Sequence, residues 1–320
     1  MPSSPSRRVR IAAFSAAAVL VLGSATACGS SSAALPGTAA SGTATSAAGQ
    51  GGDTTALAAI LNAEQPASAS VLATSATAEA IKKKGVFVVG GTETAALFSL
   101  LNPSTGKISG FDAEMYQLLA KYIIGQPDTK LVEVSVATRQ ALLQEHSVDA
   151  VFATYTITAA REKEVAFAGP YYEDGLAIMI RKGETGITSV KDLAGKKVVA
   201  QSGSTVPSAV KKAAPTAAIQ LFDTNSESLQ ALEQGRADAY VTDQGILAGD
   251  AARHSDVEVL PGTFTQEPYG IGLPLDKPDF KAFVNAWLTS IEKSGVWAEV
   301  WKATIGTAVS GSAPTPPQVG

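Results

Sequence analysis

One cysteine, Cys28, and two histidines, His146 and His254, are all that 320 residues offer of the side chains that most often staple a fold or hold a transition metal. An intrachain disulfide is therefore excluded, and a Cys/His metal cluster cannot be assembled from so few ligands. No Asp-x-Asp-x-Asp calcium loop, no phosphate-binding P-loop and no Ser/His/Asp arrangement is present. No cofactor and no metal are expected. Positive charge is also scarce: the formal net charge is −4 and the pI about 5.4, which leaves no basic stripe for nucleic acid. Aromatic residues make up only 6% of the chain, while alanine, glycine and threonine are abundant. A hydrophobic fraction of 45% is still enough to fill a core, and the length suits one large or two modest domains.

The first residues form a targeting segment. Arg7, Arg8 and Arg10 precede an apolar run from Ile11 to Gly23, too short for a comfortable membrane span. The string "ATAC" then ends in Cys28. This resembles a bacterial lipoprotein signal, with cleavage after residue 27 and lipidation of the Cys28 sulfur. Ala25 stands where leucine is commoner in such signals; an ordinary secretory signal with an incidental cysteine is the alternative. Residues 28–75 begin with an uncharged Gly/Ser/Thr/Ala stretch and are expected to be a lipidated flexible tether, although "TALAAILNAEQ" within them has helical character. The tail 307–320, "GSAPTPPQVG" included, is expected to be Pro-rich and disordered. No other apolar run is long enough to span a membrane.

From Gly85 onward, strand and helix patterns alternate, which predicts an α/β fold with mainly parallel sheets. "VFVVGG" reads as a buried strand, and "FDAEMYQLLAKYI" as a helix with Met115, Leu118, Leu119 and Ile123 at helical spacing. Phe283, Trp287, Leu288 and Ile291 share one face of a later helix; they and Trp297 and Trp301 are expected in the core. The pattern also repeats. "QALLQEHSVDAVFATY" is echoed by "QALEQGRADAYVTD", which puts Asp149 and Asp238 in matching places and suggests two related lobes. Both aspartates are expected to serve turns or caps.

One residue is badly placed for a structural role. In "TYTITAAR", residues 154–161, Thr158 reads as a helix N-cap, so Arg161 would fall in the first turn. A helix N-terminus is already positive and disfavours a cation there.

Several strings resemble the extracellular solute-binding proteins of polar amino-acid ABC importers, the glutamine/glutamate-binding family, in their actinobacterial lipoprotein form. They are "GKISGFDAEMYQLLAKYI", "VDAVFATYTITAAREKEVAFAGPYYEDGLAIMIRKG", "SVKDLAGKKVVAQSGST", "GRADAYVTDQGIL" and "EPYGIGLPLD". The resemblance covers about Gly85 to Ile305. It implies an α/β, two-lobed type II periplasmic-binding fold with a discontinuous lobe 1 (76–178 and 270–306) and lobe 2 at 179–269. Two crossover strands are expected near Leu176–Lys182 and Pro268–Leu273, with the ligand in the cleft between lobes.

The resemblance also implies roles. Arg161 would hold an α-carboxylate bidentately, with Thr156 beside it and the Thr154 carbonyl taking the ammonium. Asp243 would bind the ammonium; its position also reads as a helix N-cap before Gln244, and the two roles do not exclude each other. Gln201, Ser204 and Thr205 in "QSGST" would meet the ligand from lobe 2; relatives often carry lysine or arginine where Gln201 stands. Phe98 matches an aromatic that covers the ligand's stem, with the usual prolines before it replaced by Ala96 and Leu97; Thr92 and Glu93 would face the cleft. Arg139 either reaches a side-chain carboxylate or braces the lobe. The implied protein is a non-enzymatic, monomeric receptor, tethered to the membrane, for an acidic or amide amino acid (glutamate, glutamine, aspartate or asparagine). It would serve an ABC permease. The alternatives are a sensor for a membrane signalling protein and a dehydratase-like enzyme on the same fold.

Overall fold

The structure is a computed structural model and describes residues 52–320. The signal segment 1–27, Cys28 and residues 29–51 of the expected tether lie outside the described residues. No helix among the described residues is long and apolar enough to cross a membrane.

Lobe 1 opens with α1 (Thr54–Ala63), α2 (Ala69–Leu72), α3 (Ala76–Lys84) and β1 (Phe87–Gly91). A small antiparallel sheet of β2 (Thr94–Ala95), β3 (Ser99–Asn102) and β4 (Lys107–Ser109) follows. Then come α4 (Phe111–Ile124), β5 (Thr129–Glu133), α5 (Arg139–Gln144), β6 (Ala150–Val151) and β7 (Ala166–Asp174). Lobe 2 holds β8 (Leu176–Arg181), β9 (Lys197–Gln201), α6 (Val206–Ala213), β10 (Ala218–Phe222), α7 (Asn225–Glu233), β11 (Ala239–Asp243), α8 (Gln244–Ala251) and β12 (Val257–Val259). The chain returns to lobe 1 with β13 (Glu267–Leu273), α9 (Pro278–Ser294) and α10 (Val296–Ala303).

Each lobe is built on a five-stranded sheet, ordered β5-β1-β6-β13-β7 in lobe 1 and β10-β9-β11-β8-β12 in lobe 2. β1 lies parallel to β5 and β6, as β9 does to β10 and β11. The echo in the sequence is this shared unit. Asp149, ahead of β6, accepts the N–H of Val88 in β1 at 2.8 Å; Asp238, ahead of β11, accepts that of Lys197 in β9 at 2.8 Å. Each aspartate closes the start of its lobe's central strand, where the ladder has not yet begun.

Local signals set the helices. The Ser75 hydroxyl accepts the Ala78 N–H at α3's start, Gly85 ends that helix in the left-handed region (φ 74°), and three lysines crowd its last turn. α9 begins at Pro278 and stops at Gly295 (φ 86°). Its face Phe283, Trp287, Leu288 and Ile291 is buried in the lobe 1 core with Trp297 and Trp301, as their spacing predicts. Full burial of each such side chain contributes roughly 1.5–3 kcal/mol.

Three expectations need correction. The crossings do not run through Leu176–Lys182 and Pro268–Leu273. Leu176–Arg181 pairs within the lobe 2 sheet and Glu267–Leu273 within the lobe 1 sheet. Both are apolar runs, and an apolar run shows that a strand is buried without showing in which sheet. The first link between lobes is Gly175 alone, between β7 and β8; the second is the stretch 260–266. The two links touch: a Cβ on Gly175 would lie 2.5 Å from the Thr265 carbonyl oxygen, so only glycine fits there.

The tether ends earlier than residue 75. Asp53 caps α1 by accepting the N–H groups of Thr55 and Ala56, and Leu57, Ala67 and Leu72 are buried. The tail is also ordered against lobe 1. Val309, Ala313 and Val319 pack on its core, Asn285 donates to the Gly320 carbonyl at 2.7 Å, and Gly320 donates to Gly169 at 3.1 Å. Composition marks this segment as disordered, but its prolines reduce the entropy lost on docking while its few apolar residues find seats.

Deleting residues 307–320 should therefore destabilise the body by on the order of 2 kcal/mol from lost apolar burial. At about 2–4 °C per kcal/mol for a domain of this size, the loss is visible in a thermal melt. An unchanged midpoint would mean that the tail is not docked in solution.

Candidate functional site

After β6 the chain leaves the sheet edge and turns into the space between the lobes. Thr154 makes that turn with φ 44°, an uncommon conformation for a β-branched residue. Its N–H donates to Asp112 Oδ2 at 2.9 Å. Asp112 is fully buried in the first turn of α4 and also accepts the Tyr171 hydroxyl at 2.6 Å. Burial pushes the Asp112 carboxyl up to about 6, against the pull of those two hydrogen bonds and of Arg139. Neither Asp112 nor Tyr171 was marked by the sequence reading, yet they hold the backbone of Thr154 in place.

Tyr155 is the platform that follows. Its ring carries two guanidinium groups, Arg139 at 3.9 Å and Arg161 at 5.0 Å from the centroid. Arg139 is 2% exposed; its Nη1 donates to the carbonyls of Ala153 and Thr154. Burial, with Arg161 adding repulsion, pulls its pKa down to about 9. Its Nε is buried without a hydrogen-bond partner among the described residues. These contacts are those of a brace, in a residue that also lines the cavity.

Arg161 is placed differently from the expected first turn of a helix. The described segment Arg161–Lys163 is a single 3₁₀ turn, with Thr158 Oγ1 accepting the Arg161 N–H at 3.2 Å. So short a turn sums few peptide dipoles, and the conflict with a cation is correspondingly small. The side chain turns into the cleft instead. Nη1 donates to the Thr156 carbonyl at 2.7 Å, and Nη2 crosses to the Gly203 carbonyl of lobe 2 at 3.0 Å. Burial lowers its pKa, with Tyr155, Glu267 and Asp243 opposing.

Lobe 2 supplies the facing wall. β9 ends at Gln201, and the loop to α6 carries Gly203, Ser204 and Thr205. Gly203 has φ 76°, and a Cβ there would sit 2.9 Å from the Ala137 Cα of lobe 1. The Ser204 hydroxyl donates to the Gln201 carbonyl at 2.7 Å, and Thr205 Oγ1 donates to Glu267 Oε2 at 3.1 Å. α6 then points its first turn, with N–H groups lacking intrahelical acceptors, toward Arg161.

Asp243 ends β11 at the N-cap position of α8, but its side chain makes no capping hydrogen bond. Asp174 takes over that task from lobe 1: Oδ2 accepts the Gly245 N–H at 3.1 Å and Oδ1 the Gly175 N–H at 2.7 Å. Among the described residues, Asp243 Oδ1 is enclosed without a hydrogen-bond partner. Burial raises its pKa well above the ordinary value, and the neighbouring charges of Asp174 and Glu267 raise it further. Glu267, 3% exposed, accepts the Thr205 and Thr265 hydroxyls. Asp174 and Glu267 were also missed by the sequence reading; as polar ends of an apolar strand pair, they carry only the signal of being out of pattern.

Arg139, Thr154, Thr156, Arg161, Gln201, Ser204, Thr205 and Asp243 all line one cavity between the lobes. Thr92 and Glu93 line an adjoining recess that shares Gln201. Phe98 lies on neither wall. It is fully buried, edge-on to Tyr172 and Tyr269 at 5.4 and 5.7 Å, because the turn at Leu97 (φ 65°) swings it under α8. The cavity leaves about 10 Å³ for the centre of a water molecule, room for about one water. An amino acid enters only if the contacts from Arg161 to Gly203 and from Thr205 to Glu267 open. Chemically, the site sets two guanidinium groups and a helix N-terminus against a carboxylate with one oxygen left open, a complement to a small molecule carrying both charges.

Two α/β lobes joined by two short links around such a cleft define a two-lobed amino-acid-binding protein of the periplasmic type. The comparisons agree. An ancestral arginine-binding protein bound to glutamine has a TM-score of 0.66 at 33% identity, covering 69% of this chain and 98% of that one. The ancestral amino acid-binding protein AncCDT-1, described as a precursor of cyclohexadienyl dehydratase, has a TM-score of 0.66 at 32% identity, covering 72% and 100%. The ABC transporter glutamine-binding protein GlnH of Bacillus subtilis is 37% identical over 72% of this chain and 84% of its own length. The glutamate-binding protein GluB of Corynebacterium glutamicum is 31% identical over 65% and 74%. The chain belongs to the bacterial extracellular solute-binding proteins, family 3, whose pattern matches residues 87–306.

The two arginines should separate in a stability measurement. Arg139→Ala strips donors from two buried carbonyls and leaves Asp112 without its nearest cation, a loss of roughly 3–5 kcal/mol. Arg161→Ala, at a half-exposed position, should change stability by no more than about 0.5–1 kcal/mol. Urea midpoints of the two variants check this; the reverse ranking would make Arg161 the brace.

Proposed function

We propose that this protein is a lipid-tethered receptor on the outer face of the cell membrane that captures a polar amino acid, glutamine foremost, and delivers it to an ABC permease. The observation that carries the reading is the placing of Arg161 and of Asp243, whose Oδ1 has no hydrogen-bond partner among the described residues, on opposite walls of one interlobe cavity. An α-amino acid brings the two missing charges in one molecule. Its carboxylate meets the Arg161 fork, the Thr156 hydroxyl and the N-terminus of α6. Its ammonium meets Asp243 and the Thr154 carbonyl, so that no buried charge remains uncompensated. The names of the relatives support an acidic or amide ligand, since GlnH is a glutamine-binding and GluB a glutamate-binding protein.

The receptor acts as a monomer and performs no chemistry on its ligand. Neither His146 nor His254 lines the cavity, so that wall carries no histidine to move a proton. Loading works by closure: the ligand bridges the lobes, and the closed form is what the permease recognises.

Calorimetry against the common amino acids should find a ligand of this class in the mature protein. Arg161→Ala should then weaken it by about 2–5 kcal/mol, because the carboxylate is stranded in a desolvated site. At about 1.4 kcal/mol per tenfold, that takes a micromolar site to roughly the millimolar range. Arg161→Lys should recover only part of the loss, having the charge without the planar fork. Binding by Arg161→Ala within about threefold of the parent would remove the arginine from the site and the reading with it.

The tether makes a separate claim. Cys28→Ala should shift the protein from the detergent phase to the aqueous phase on phase partitioning, since acyl chains supply the membrane affinity. Unaltered partitioning would leave Cys28 an ordinary residue.

A further inference from the structure

Lobe 2 gathers three metal-ligating side chains at its end away from the cleft. The ends of β9 and β11, Gln201 and Asp243, line the interlobe cavity. α7 starts beside that cleft, where Thr224 lines the adjoining recess, and runs back to Glu233, its last residue. His254 follows α8, and Asp256 stands directly before β12, whose Val257 pairs with Arg181 at the far end of β8. None of the three lines the cavity or its recess. His254 Nδ1 lies 2.6 Å from Glu233 Oε1, and one ligating atom from each of the three residues falls within 4.8 Å of the others. The backbone beneath is fixed: the His254 N–H donates to the Asp250 carbonyl at 2.9 Å, and the Lys182 N–H to the Asp256 carbonyl at 2.8 Å.

The charges here are out of balance. Glu233 puts an anion at the C-terminus of α7, the negative end of the helix dipole, and no basic residue shares its last turn. Asp256 adds a second carboxylate. Among the described residues neither forms an ion pair with a lysine or arginine. Arg236, in the turn after α7, donates instead to Gln234 Oε1 at 3.0 Å and lies over the Phe222 ring. The neutral imidazole of a histidine offers a lone pair, the commonest protein ligand of a metal. A set of one histidine and two carboxylates lies outside the exclusion of a Cys/His cluster.

We propose that Glu233, His254 and Asp256 bind a zinc-class divalent ion that staples the end of α7 to the turn between α8 and β12. One imidazole nitrogen and two carboxylate oxygens suit zinc, whereas calcium and magnesium take about six or more oxygens. Zinc bonds of about 2.0–2.2 Å place tetrahedral ligands roughly 3.3 Å apart. Side-chain rotation is enough to bring in three atoms that already lie within 4.8 Å of one another. Water takes the fourth position. The ion offsets both carboxylates and puts positive charge where the α7 dipole favours it. All three ligands belong to lobe 2, so the staple stiffens that lobe without bridging the links, and it stands independently of the amino-acid reading.

The test is calorimetry and thermal melting with zinc chloride on the mature chain carrying C28A, which removes the one thiol that would compete for zinc. One zinc should bind per chain, with no saturable heat from calcium at the same concentrations. Zinc at about a hundredfold over its Kd should raise the melting midpoint by about 5 °C or more. H254A should weaken zinc by at least about tenfold, and so should the isosteric D256N, since even an outer partner of a ligand carries that much. Asp256 is exposed, so D256N leaves the packing intact, and the metal-free melt of each variant checks the fold. H146A is the control: His146 and Asp276 approach to 3.7 Å on the surface of lobe 1, and its loss should leave zinc affinity unchanged. No saturable zinc binding overturns the proposal. So does calcium bound as tightly as zinc, an affinity that H254A and D256N leave unmoved, or zinc binding that is lost with H146A.

Discussion

The carboxylate of Asp174 is the contact on which the cleft depends. It sits at the last residue of β7, one peptide before the chain enters lobe 2. Its two oxygens accept the N–H groups of Gly175 and Gly245 and the hydroxyl of Tyr269 at 3.2 Å. One side chain thereby fixes the first link, caps α8 of the other lobe and ties both to β13. A helix start needs such an acceptor, and capping contributes about 0.5–2 kcal/mol. Because a residue of lobe 1 supplies it, Asp243 is relieved of the capping role that its position would impose. Its Oδ1 is enclosed without a partner among the described residues, next to two other acids.

That surplus makes closure conditional. Asp174, Asp243 and Glu267 gather at the links, opposed by Arg139 and Arg161, and Arg139 already serves Asp112 and two backbone carbonyls. Closing the lobes over Asp243 alone strips water from its carboxylate and returns, among the described residues, no hydrogen bond to Oδ1, which is unfavourable. A zwitterion supplies the ammonium there and a carboxylate for Arg161. The ligand thus stabilises the closed arrangement by what it compensates, and its leverage is the difference in its affinity for the two arrangements. Arg161 and Gly203 show how the contact is held ready: the guanidinium spends one N–H group on a carbonyl of the opposite lobe, a neutral acceptor that a carboxylate outcompetes.

How much of this was legible in the sequence follows from the kind of signal each residue gives. Arg161 stood out because a cation after a run of hydroxyls lacked a structural motive, and Asp243 and "QSGST" lay at strand-to-helix turns where an anion or cation site is readily built. Asp112, Asp174 and Glu267 gave no such signal. The meaning of each depends on a partner distant in the chain: Thr154 for Asp112, Gly245 for Asp174 and Thr205 for Glu267. The crossings were misplaced by a few residues because hydrophobic pattern reports burial and not sheet membership. The place of Phe98 under α8 was not legible because a left-handed turn at Leu97 is not visible in a leucine. The tail was misread because composition averages over its residues, whereas docking uses only Val309, Ala313 and Val319.

The repeated unit explains why a two-charge site arises here at all. β6 and β11 are the matching central strands, lying beside β1 and β9, and each is preceded by an aspartate that accepts an N–H group of that neighbour. The echo in the sequence is therefore architectural, and the function lies where the copies part. Beyond β6 the chain runs through Thr154 and Thr156 to a cation, Arg161; at the end of β11 it stops at an anion, Asp243. Packed face to face, the two matching strand ends bring opposite charges to one cavity. A protein of two identical lobes would offer like charges across its cleft, which suits a symmetric ion and repels itself when empty. Divergence at these strand ends is what makes the closed cleft complementary to a molecule with a carboxylate at one side of its α-carbon and an ammonium at the other.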